Sequence, residues 1–302
     1  MFKTSFSFKK KEMLGLDMGS HTVKVVKVSQ SDGPGRHLDF WGHVDKEGLK
    51  QFLEKNHLLG LPTAACINDP SLKIRKIELP DMPASDLKEA VRWKMRDIVD
   101  GPIAEFVVAS SIIETTTVGG IKKQILIGYA LKRSVVTELT NLIIQLGLKP
   151  KSVEPTAVSL AACIEKIYPS EDHWMAGLDI GQSQTIMNII GHGKFYFSRP
   201  LPGISLEEAK RDTDSFMKKL AGEIQNTLDT FSVTFQVEKI NRIFLAGGGA
   251  GVPGLSEYLS KNLAIESEKI NPFQGLDNSL LLEKNEEQKL YLYAQAVSLA
   301  CA

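Results

Sequence analysis

The sequence has few of the features that mark secreted, membrane-spanning or nucleic-acid-binding proteins. Its three cysteines, Cys66, Cys163 and Cys301, lie far apart and form no CxxC pair, which is typical of a reduced cytosolic protein. No apolar run approaches the ~20 residues that a transmembrane helix needs. The 36 basic and 36 acidic residues balance, so the basic excess expected of a nucleic-acid-binding protein is missing.

Several fixed-spacing motifs are missing as well. The six histidines form no HExxH pattern, which argues against a zinc-protease type of metal site. No GxxxxGK[ST] segment occurs, and this excludes a P-loop nucleotide-binding protein. Residues 1–11 are basic but lack the apolar core of a signal peptide, so we interpret them as a flexible tail. A weak contact of this tail with an anionic membrane surface is the alternative.

What is present is a globular composition with alternating strand and helix patterns. The 302 residues are 43% apolar and 24% charged, enough for a large core divided over more than one subdomain. Strands that alternate with helices predict an α/β protein, and 73–150 reads as a small α+β module. The predicted strands are two within 13–28 around a turn at 18–20, then 63–67, 72–79, 106–113, 124–130, 176–180, 185–190, 195–199 and 240–246. The predicted helices are 48–58, 86–98, 135–146, 206–235, 254–263 and 286–300.

A short internal repeat is the strongest functional signal. Gly15-Leu16-Asp17-Met18-Gly19 recurs as Gly177-Leu178-Asp179-Ile180-Gly181, and each copy lies between two predicted strands. Glycine at such a turn lets backbone N–H groups approach a phosphate, because no Cβ intervenes. The repeat therefore predicts two similar halves that bind a polyphosphate between them. A single Asp-x-Gly turn is also common for purely local reasons.

The first hairpin offers further phosphate contacts. The hydroxyls of Ser20 and Thr22 can donate to phosphate oxygens, and Lys24 supplies a point charge. Asp17 and Asp179 repel phosphate, so we interpret them as partners, through water, of a hydrated Mg²⁺, which prefers oxygen ligands and keeps several waters.

A third glycine-rich unit lies at 243–254, where a predicted strand leads through a glycine loop into a helix. It formally contains GxGxxG at Gly249, Gly251 and Gly254, but the acidic residue that a dinucleotide fold needs is only loosely available at Glu266 or Glu268. A flat glycine face against which an adenosine could lie is the interpretation we favour. A turn that is rich in glycine only for close packing is the alternative.

The order of these motifs resembles the actin, sugar-kinase and heat-shock-chaperone superfamily, and within it the FtsA-like branch that includes the PilM family of type IV pilus assembly proteins. Residues 15–24 and 177–185 look like its two phosphate motifs, and 245–259 looks like its adenosine motif. Further segments that resemble the PilM family are 77–80, 89–93, 153–157, 223–225 and 271–273.

The resemblance implies a two-lobed actin-like ATPase fold with an FtsA/PilM-type extra α+β subdomain. It also implies a shortened outer subdomain in the second half. The expected boundaries are 1–11 for the tail, 12–72 plus 151–175 for the first core, 73–150 for the insert, 176–200 plus 240–302 for the second core, and 201–239 for the outer subdomain.

The resemblance also implies ATP and Mg²⁺ as ligands that structure or switch the protein. The implied nucleotide-binding residues are Gly15, Asp17, Gly19, Ser20, His21, Thr22, Lys24, Asp179, Gly181, Gln182, Thr185, Glu207, Lys210, Gly247, Gly248 and Gly249. Asp17 and Asp179 would hold Mg²⁺ through water. Glu154 is a candidate to orient an attacking water, with a purely structural Glu-Pro turn as the alternative.

The implied partners are other pilus assembly proteins and the N-terminal cytoplasmic peptide of a PilN-like inner-membrane protein. That peptide would lie in a groove between 73–150 and the first subdomain. The implied location is cytoplasmic and peripheral to the inner membrane.

One departure from the family pattern lies in the second half. Arg199 to Ser205 runs almost directly into Glu207-Glu208-Ala209-Lys210, so a helix of the family pattern is missing and the adenine clamp is incomplete. At most slow ATP hydrolysis is expected. The alternatives are a scaffold that no longer binds nucleotide, a small-molecule kinase of the same superfamily, a dehydrogenase, or a related secretion or cell-division protein.

Overall fold

The computed structural model describes residues 12–30, 35–169, 173–237, 239–277 and 287–302. The expected tail at 1–11 lies outside them. The strands are β1 Glu12–Met18, β2 Thr22–Gln30, β3 Arg36–Asp45, β4 Pro62–Ile67, β5 Lys73–Pro80, β6 Phe106–Val118, β7 Ile121–Lys132, β8 Lys149–Pro155, β9 Trp174–Ile180, β10 Thr185–Gly191, β11 Lys194–Leu201, β12 Arg242–Ala246 and β13 Glu266–Lys269.

The helices alternate with these strands, as an α/β protein requires. They are α1 Leu49–Lys55, α2 Ala84–Met95, α3 Arg133–Gln145, α4 Thr156–Ile167, α5 Leu206–Arg211, α6 Thr213–Phe235, α7 Leu255–Leu263 and α8 Ala294–Ala300. Segments of 3-10 helix cover Lys46–Gly48, Arg96–Ile98, Ile103–Glu105, Gly248–Gly251 and Glu287–Tyr293.

Two five-stranded sheets repeat one topology. The first has the order β3-β2-β1-β4-β8 and the second β11-β10-β9-β12-β13. In each sheet the central strand, β1 or β9, pairs antiparallel with the strand that follows it and parallel with the strand on its other side. The short sequence repeat thus belongs to a repeated fold, and the two lobes that it predicts are present.

Helices α4 and α8 pack against each other, each mainly on the sheet of one lobe. α8 covers the first sheet, and α4 mainly covers the second. The first glycine of each repeat allows this approach. A Cβ on Gly15 would collide with the backbone oxygen of Ala296 in α8, and one on Gly177 would lie 2.5 Å from Cδ1 of Ile164 in α4.

The third sheet, with the order β5-β7-β6, belongs to the βαββα module predicted at 73–150. Helix α2 packs on one of its faces. Leu139 and Ile143 of α3 join the core of the first lobe. Ile113 and Ile127 join the core of the second lobe, and the Lys194 ammonium donates to the Ile113 carbonyl at 2.9 Å. The module therefore contacts both lobes.

Some expected elements are wrong or incomplete. The single helix predicted at 206–235 is two helices, because Asp212 has extended backbone and its carboxylate caps α6 by accepting from the Ser215 N–H at 3.0 Å. The helix predicted at 286–300 is a 3-10 segment followed by α8. Strands β3, β8 and β13 were not predicted at all.

We predict that Gly15→Ala destabilises the protein by about 3 kcal/mol, because the new methyl group must displace the backbone of α8. Gly222→Ala is the matched control, since Gly222 lies within α6 and has open space around its Cβ position. That control should stabilise by roughly 0.5–1 kcal/mol through helix propensity. Urea unfolding measures both, and equal effects of the two substitutions would contradict the packing argument.

Candidate functional site

A cavity of about 490 Å³ lies between the β1–β2 and β9–β10 hairpins, in the size range of small-molecule sites. Both turns follow the carboxyl end of a central strand, so the two repeats meet across it. Its lining consists of Asp17, Met18, Gly19, Ser20, His21, Thr22, Lys24, His43, Lys46, Asn68, Thr156, Asp179, Gly181, Gln182, Ser183, Gln184, Ile186, Leu206, Gly247, Gly248, Leu292 and Gln295.

The two hairpins differ at one equivalent position. Asp17 lies opposite Lys24 across the first hairpin, and Asp179 lies opposite Ile186 across the second. Only the first hairpin thus brings an ammonium group to the cavity. Charge in the site is asymmetric although the backbone is repeated.

The ammonium of Lys24 lies 3.4 Å from Oδ2 of Asp17, and the Cys66 thiol donates to the Asp17 Oδ1 at 3.5 Å. Burial alone would lower the pKa of Lys24, but the carboxylates of Asp17 and Asp179 raise it above its ordinary value. Burial and then Asp17 raise the pKa of Cys66 well above the usual range, so this thiol stays protonated. The first hairpin therefore holds a charged pair beside a neutral thiol.

Asp179 is held from α8. The side-chain amide of Gln295 donates to the Asp179 Oδ2 at 2.9 Å. Burial, followed by the neighbouring Asp17, raises the pKa of Asp179 to about 6. Gly247 lies so close that a Cβ there would be 2.5 Å from the Asp179 Oδ1. Because the charged form of Asp179 is unfavourable here, a cation bound in the cavity would stabilise it.

The structure brings most of the predicted nucleotide residues to this cavity. These are Asp17, Gly19, Ser20, His21, Thr22, Lys24, Asp179, Gly181, Gln182, Gly247 and Gly248. The remaining predicted residues lie outside the lining. Gly15 contacts α8, Gly249 contacts Ile180, and Thr185 is fully buried in β10.

Glu207 and Lys210 also lie outside the lining, on α5. The Glu207 carboxylate accepts from the side-chain amide of Gln182 at 3.4 Å, so it lies beside the second turn. Their role over an adenine therefore stays a prediction.

Glu154 lies in register with Cys66, which is in register with Asp17. Two strand spacings, or about 10 Å, therefore separate the Glu154 and Asp17 backbones. The Ser159 hydroxyl lies 3.4 Å from its carboxylate, and burial raises the pKa of Glu154. Its role in orienting a water stays a prediction, because Glu154 does not line the cavity.

Sequence reasoning missed several lining residues. Asn68 follows β4 and Thr156 begins α4 after β8, so position at the carboxyl ends of neighbouring parallel strands could have identified them. The backbone N–H of Lys46 donates to the His21 carbonyl at 3.3 Å, and this hydrogen bond holds Lys46 beside the first turn. Gln295 comes from the far end of the sequence, and no local signal indicates it.

The described side chains of the cavity do not form a set of direct metal ligands. Within the part of the chain that the structure describes, no three His, Cys, Asp or Glu side chains are grouped as direct metal ligands. Two carboxylates beside a cavity with room for a polyphosphate instead fit a hydrated Mg²⁺, which takes few protein ligands and completes its shell with waters and phosphate oxygens.

Comparison with known proteins supports the fold and the resemblance. A family model described as "Type IV pilus assembly protein PilM" matches residues 213–302. A solved structure described as "PilM-PilN type IV pilus biogenesis complex" has a TM-score of 0.80 at 20% identity, covering 96% of this chain and 97% of that chain. The predicted two-lobed actin-like fold and the predicted resemblance to PilM are therefore confirmed.

Two other solved structures are similar at lower scores. The ethanolamine utilization protein EutJ from Carboxydothermus hydrogenoformans has a TM-score of 0.47 at 15% identity, covering 96% of this chain and 89% of that chain. A protein with actin-like ATPase fold and unknown function from Bacteroides thetaiotaomicron has a TM-score of 0.49 at 12% identity, covering 94% of this chain and 100% of that one. No curated protein matches this chain. Among the described residues, no helix is long and apolar enough to span a membrane.

The raised pKa of Asp179 predicts a pH dependence of stability. With a pKa of about 6 in the folded state against 3.8 ordinarily, the folded protein binds more protons between these values. This group's contribution to stability therefore falls as pH rises from about 4 to 6. Asp179→Asn removes that loss, so we expect it to be on the order of 2–3 kcal/mol more stable than the parent at pH 7 and nearly equal at pH 4.

Urea unfolding in EDTA at pH 4, 5, 6 and 7 measures this difference. The exposed Asp229→Asn on α6 is the matched control, because it makes the same chemical change outside the cavity. A constant difference for Asp179→Asn over this range would contradict burial of the carboxylate.

Proposed function

We propose that this chain is a cytoplasmic actin-like ATP-binding scaffold of a type IV pilus inner-membrane assembly complex, peripheral to that membrane. It recruits a PilN-like membrane protein through that protein's N-terminal cytoplasmic peptide. The observation that carries the nucleotide part is the pair of aspartate hairpins that line one cavity. The family match over 213–302 and the fold shared with the PilM-PilN complex support the pilus part.

Different residues of the cavity bind different parts of the ligand. Backbone N–H groups at the Gly19 and Gly181 turns and the hydroxyls of Ser20 and Thr22 donate to phosphate oxygens. Lys24 leaves its pair with Asp17 or shares it, and neutralises phosphate charge. Asp17 and Asp179, one from each lobe, would hold a hydrated Mg²⁺ through its waters, and the ion would neutralise the remaining phosphate charge.

Because the contacts come from both lobes, the ligand links the two hairpins. The angle between the lobes then depends on which ligand is bound, and the scaffold has a switch without fast hydrolysis. Glu154 lies about two strands from Asp17, which supports slow turnover at most.

A second cavity supports the peptide part of the proposal. It has a volume of about 640 Å³ and is lined by the β4–β5 connection, the start of β5, Ile98 of the inserted module, the start of α4, and residues of the second lobe on β11 and at the start of β10. Its wall combines Leu72, Ile74 and Ile98 with the cations Lys73 and Arg75, which suits an extended peptide with apolar side chains. It shares Asn68, Thr156, Gln184 and Ile186 with the first cavity, so the two sites adjoin.

A scaffold that no longer binds nucleotide is the second candidate. The specific observation in its favour is the short outer segment, in which only α5 and α6 are described between β11 and β12. The two candidates differ in whether Mg·ATP raises the melting temperature.

We predict that Lys24→Met weakens ATP binding about 10- to 150-fold, since a charge-assisted contact is worth roughly 1.5–3 kcal/mol. Lys27→Met is the matched control on the same strand, because Lys27 pairs with Glu12 and does not line the cavity. Calorimetric titration with Mg·ATP measures both affinities. Equal affinities for the parent and Lys24→Met would contradict the proposed site.

We predict that Leu72→Arg abolishes capture of the N-terminal peptide of the PilN-like partner while ATP still binds. The guanidinium would occupy the apolar part of the second cavity. Leu59→Arg is the control, because Leu59 is already 46% exposed and lies outside both cavities. The measurement is a pulldown with synthetic N-terminal peptides of inner-membrane pilus proteins, with and without Mg·ATP. Peptide capture by Leu72→Arg at the level of Leu59→Arg would rule out this groove.

A further inference from the structure

The glycine face expected to support an adenosine is covered by protein. Leu206, the first residue of α5, lines the cavity together with Gly247 and Gly248. Its Cδ2 lies 3.0 Å from the place where a Cβ on Gly248 would be. A base could not lie flat against this part of the loop unless the leucine moved.

Helix α5 is fixed in that position by the second hairpin. The Leu206 N–H donates to the Gly181 carbonyl at 2.9 Å, and the Glu207 N–H donates to the Gln182 carbonyl at 3.3 Å. Ser205 caps the helix by accepting from the Glu208 N–H at 3.3 Å. The short connection at 202–205 thus carries the chain directly from β11 into α5 on the phosphate turn.

The other glycines of the loop are also used for internal contacts. A Cβ on Gly247 would lie 2.5 Å from Asp179, one on Gly249 would collide with the Ile180 side chain, and one on Gly251 would collide with the Tyr291 hydroxyl. The loop is therefore rich in glycine because neighbouring side chains and backbone come close to it. These contacts favour the interpretation that the loop is rich in glycine for close packing. The contact of Leu206 with Gly248 is a further example of that packing.

The rest of the lining also suits phosphate better than a base. It offers hydroxyls, backbone N–H groups and the ammonium groups of Lys24 and Lys46. No Phe, Tyr or Trp of the described residues lines the cavity for a base to stack on, and its imidazole rings, His21 and His43, belong to the first phosphate turn and to the strand beside Lys24. Recognition therefore concentrates on the phosphates.

We infer that this cavity recognises the polyphosphate chain of its ligand and not the base. Its ligand class is then a magnesium-bound triphosphate or diphosphate, with or without a nucleoside. The inference rests on the proposed phosphate site and specifies what that site selects. ATP still binds, but through its phosphates alone.

The test is calorimetric titration of the full chain, in Mg²⁺, with ATP, GTP, inorganic triphosphate and adenosine. The expected result is that ATP, GTP and triphosphate bind with affinities within about threefold of one another, while adenosine gives no signal. Lys24→Met should weaken all three phosphate ligands in parallel. ATP binding tighter than triphosphate by about tenfold or more would overturn the inference.

Failure of the inference is distinguishable from failure of the proposed function. If ATP binds selectively, the nucleotide scaffold stands and only the selectivity argument is overturned. If none of the four ligands gives a signal, both are overturned and the scaffold without nucleotide remains.

A substitution at the covering residue provides a second readout. Leu206→Ala uncovers Gly248, so we expect the affinity for ATP to rise about fivefold while the affinity for triphosphate stays constant. Leu142→Ala on α3 is the matched control, because Leu142 is partly exposed and lies outside the cavity. An unchanged ratio of ATP to triphosphate affinity in Leu206→Ala would contradict the role of Leu206.

Discussion

The close contact of α4 with α8 is the constraint on which the rest of the structure depends. Each helix covers one central sheet and also touches the other helix. Neither helix could approach its sheet without the first glycine of a repeat, Gly15 for α8 and Gly177 for α4. This packing sets the separation of the two aspartate hairpins, so a contact between buried alkyl and backbone groups determines the geometry of a polar cavity. Gln295 connects the helix packing with the polar cavity directly, since it lies on α8 and its side-chain amide donates to Asp179.

The polar cavity is a balance of like and unlike charges. Asp17 opposes the ionisation of Asp179, and Lys24 relieves the repulsion from one side only. The second hairpin has Ile186 in the equivalent position, so the carboxylate with the raised pKa lacks a cation across its own hairpin. A cationic ligand would therefore interact most strongly with the second lobe. Because of this asymmetry, the two halves share one backbone topology but differ in what they can bind.

The sequence was sufficient where the determinant is local. Asp17 and Asp179 were found because a carboxylate and a glycine define each turn within five residues. Gln295 and Leu206 were not, because their positions follow from packing between distant segments. The break at Asp212 is a local capping signal that the apolar periodicity of 206–235 obscured. Strand β13 has a single buried residue, Ser267, and so lacks the alternating apolar pattern on which strand prediction depends.

The position of α8 has a consequence for synthesis on the ribosome. The sheet that is made first receives its covering helix from residues 294–300, which are translated only after the strands of both sheets. Until those residues emerge, Val26 and Val28 of β2 have no helix to bury them, and the nascent first lobe exposes an apolar face. The second sheet differs, because α4 is translated before it. We therefore expect the amino-terminal half to depend on chaperones during translation more than the carboxy-terminal half does.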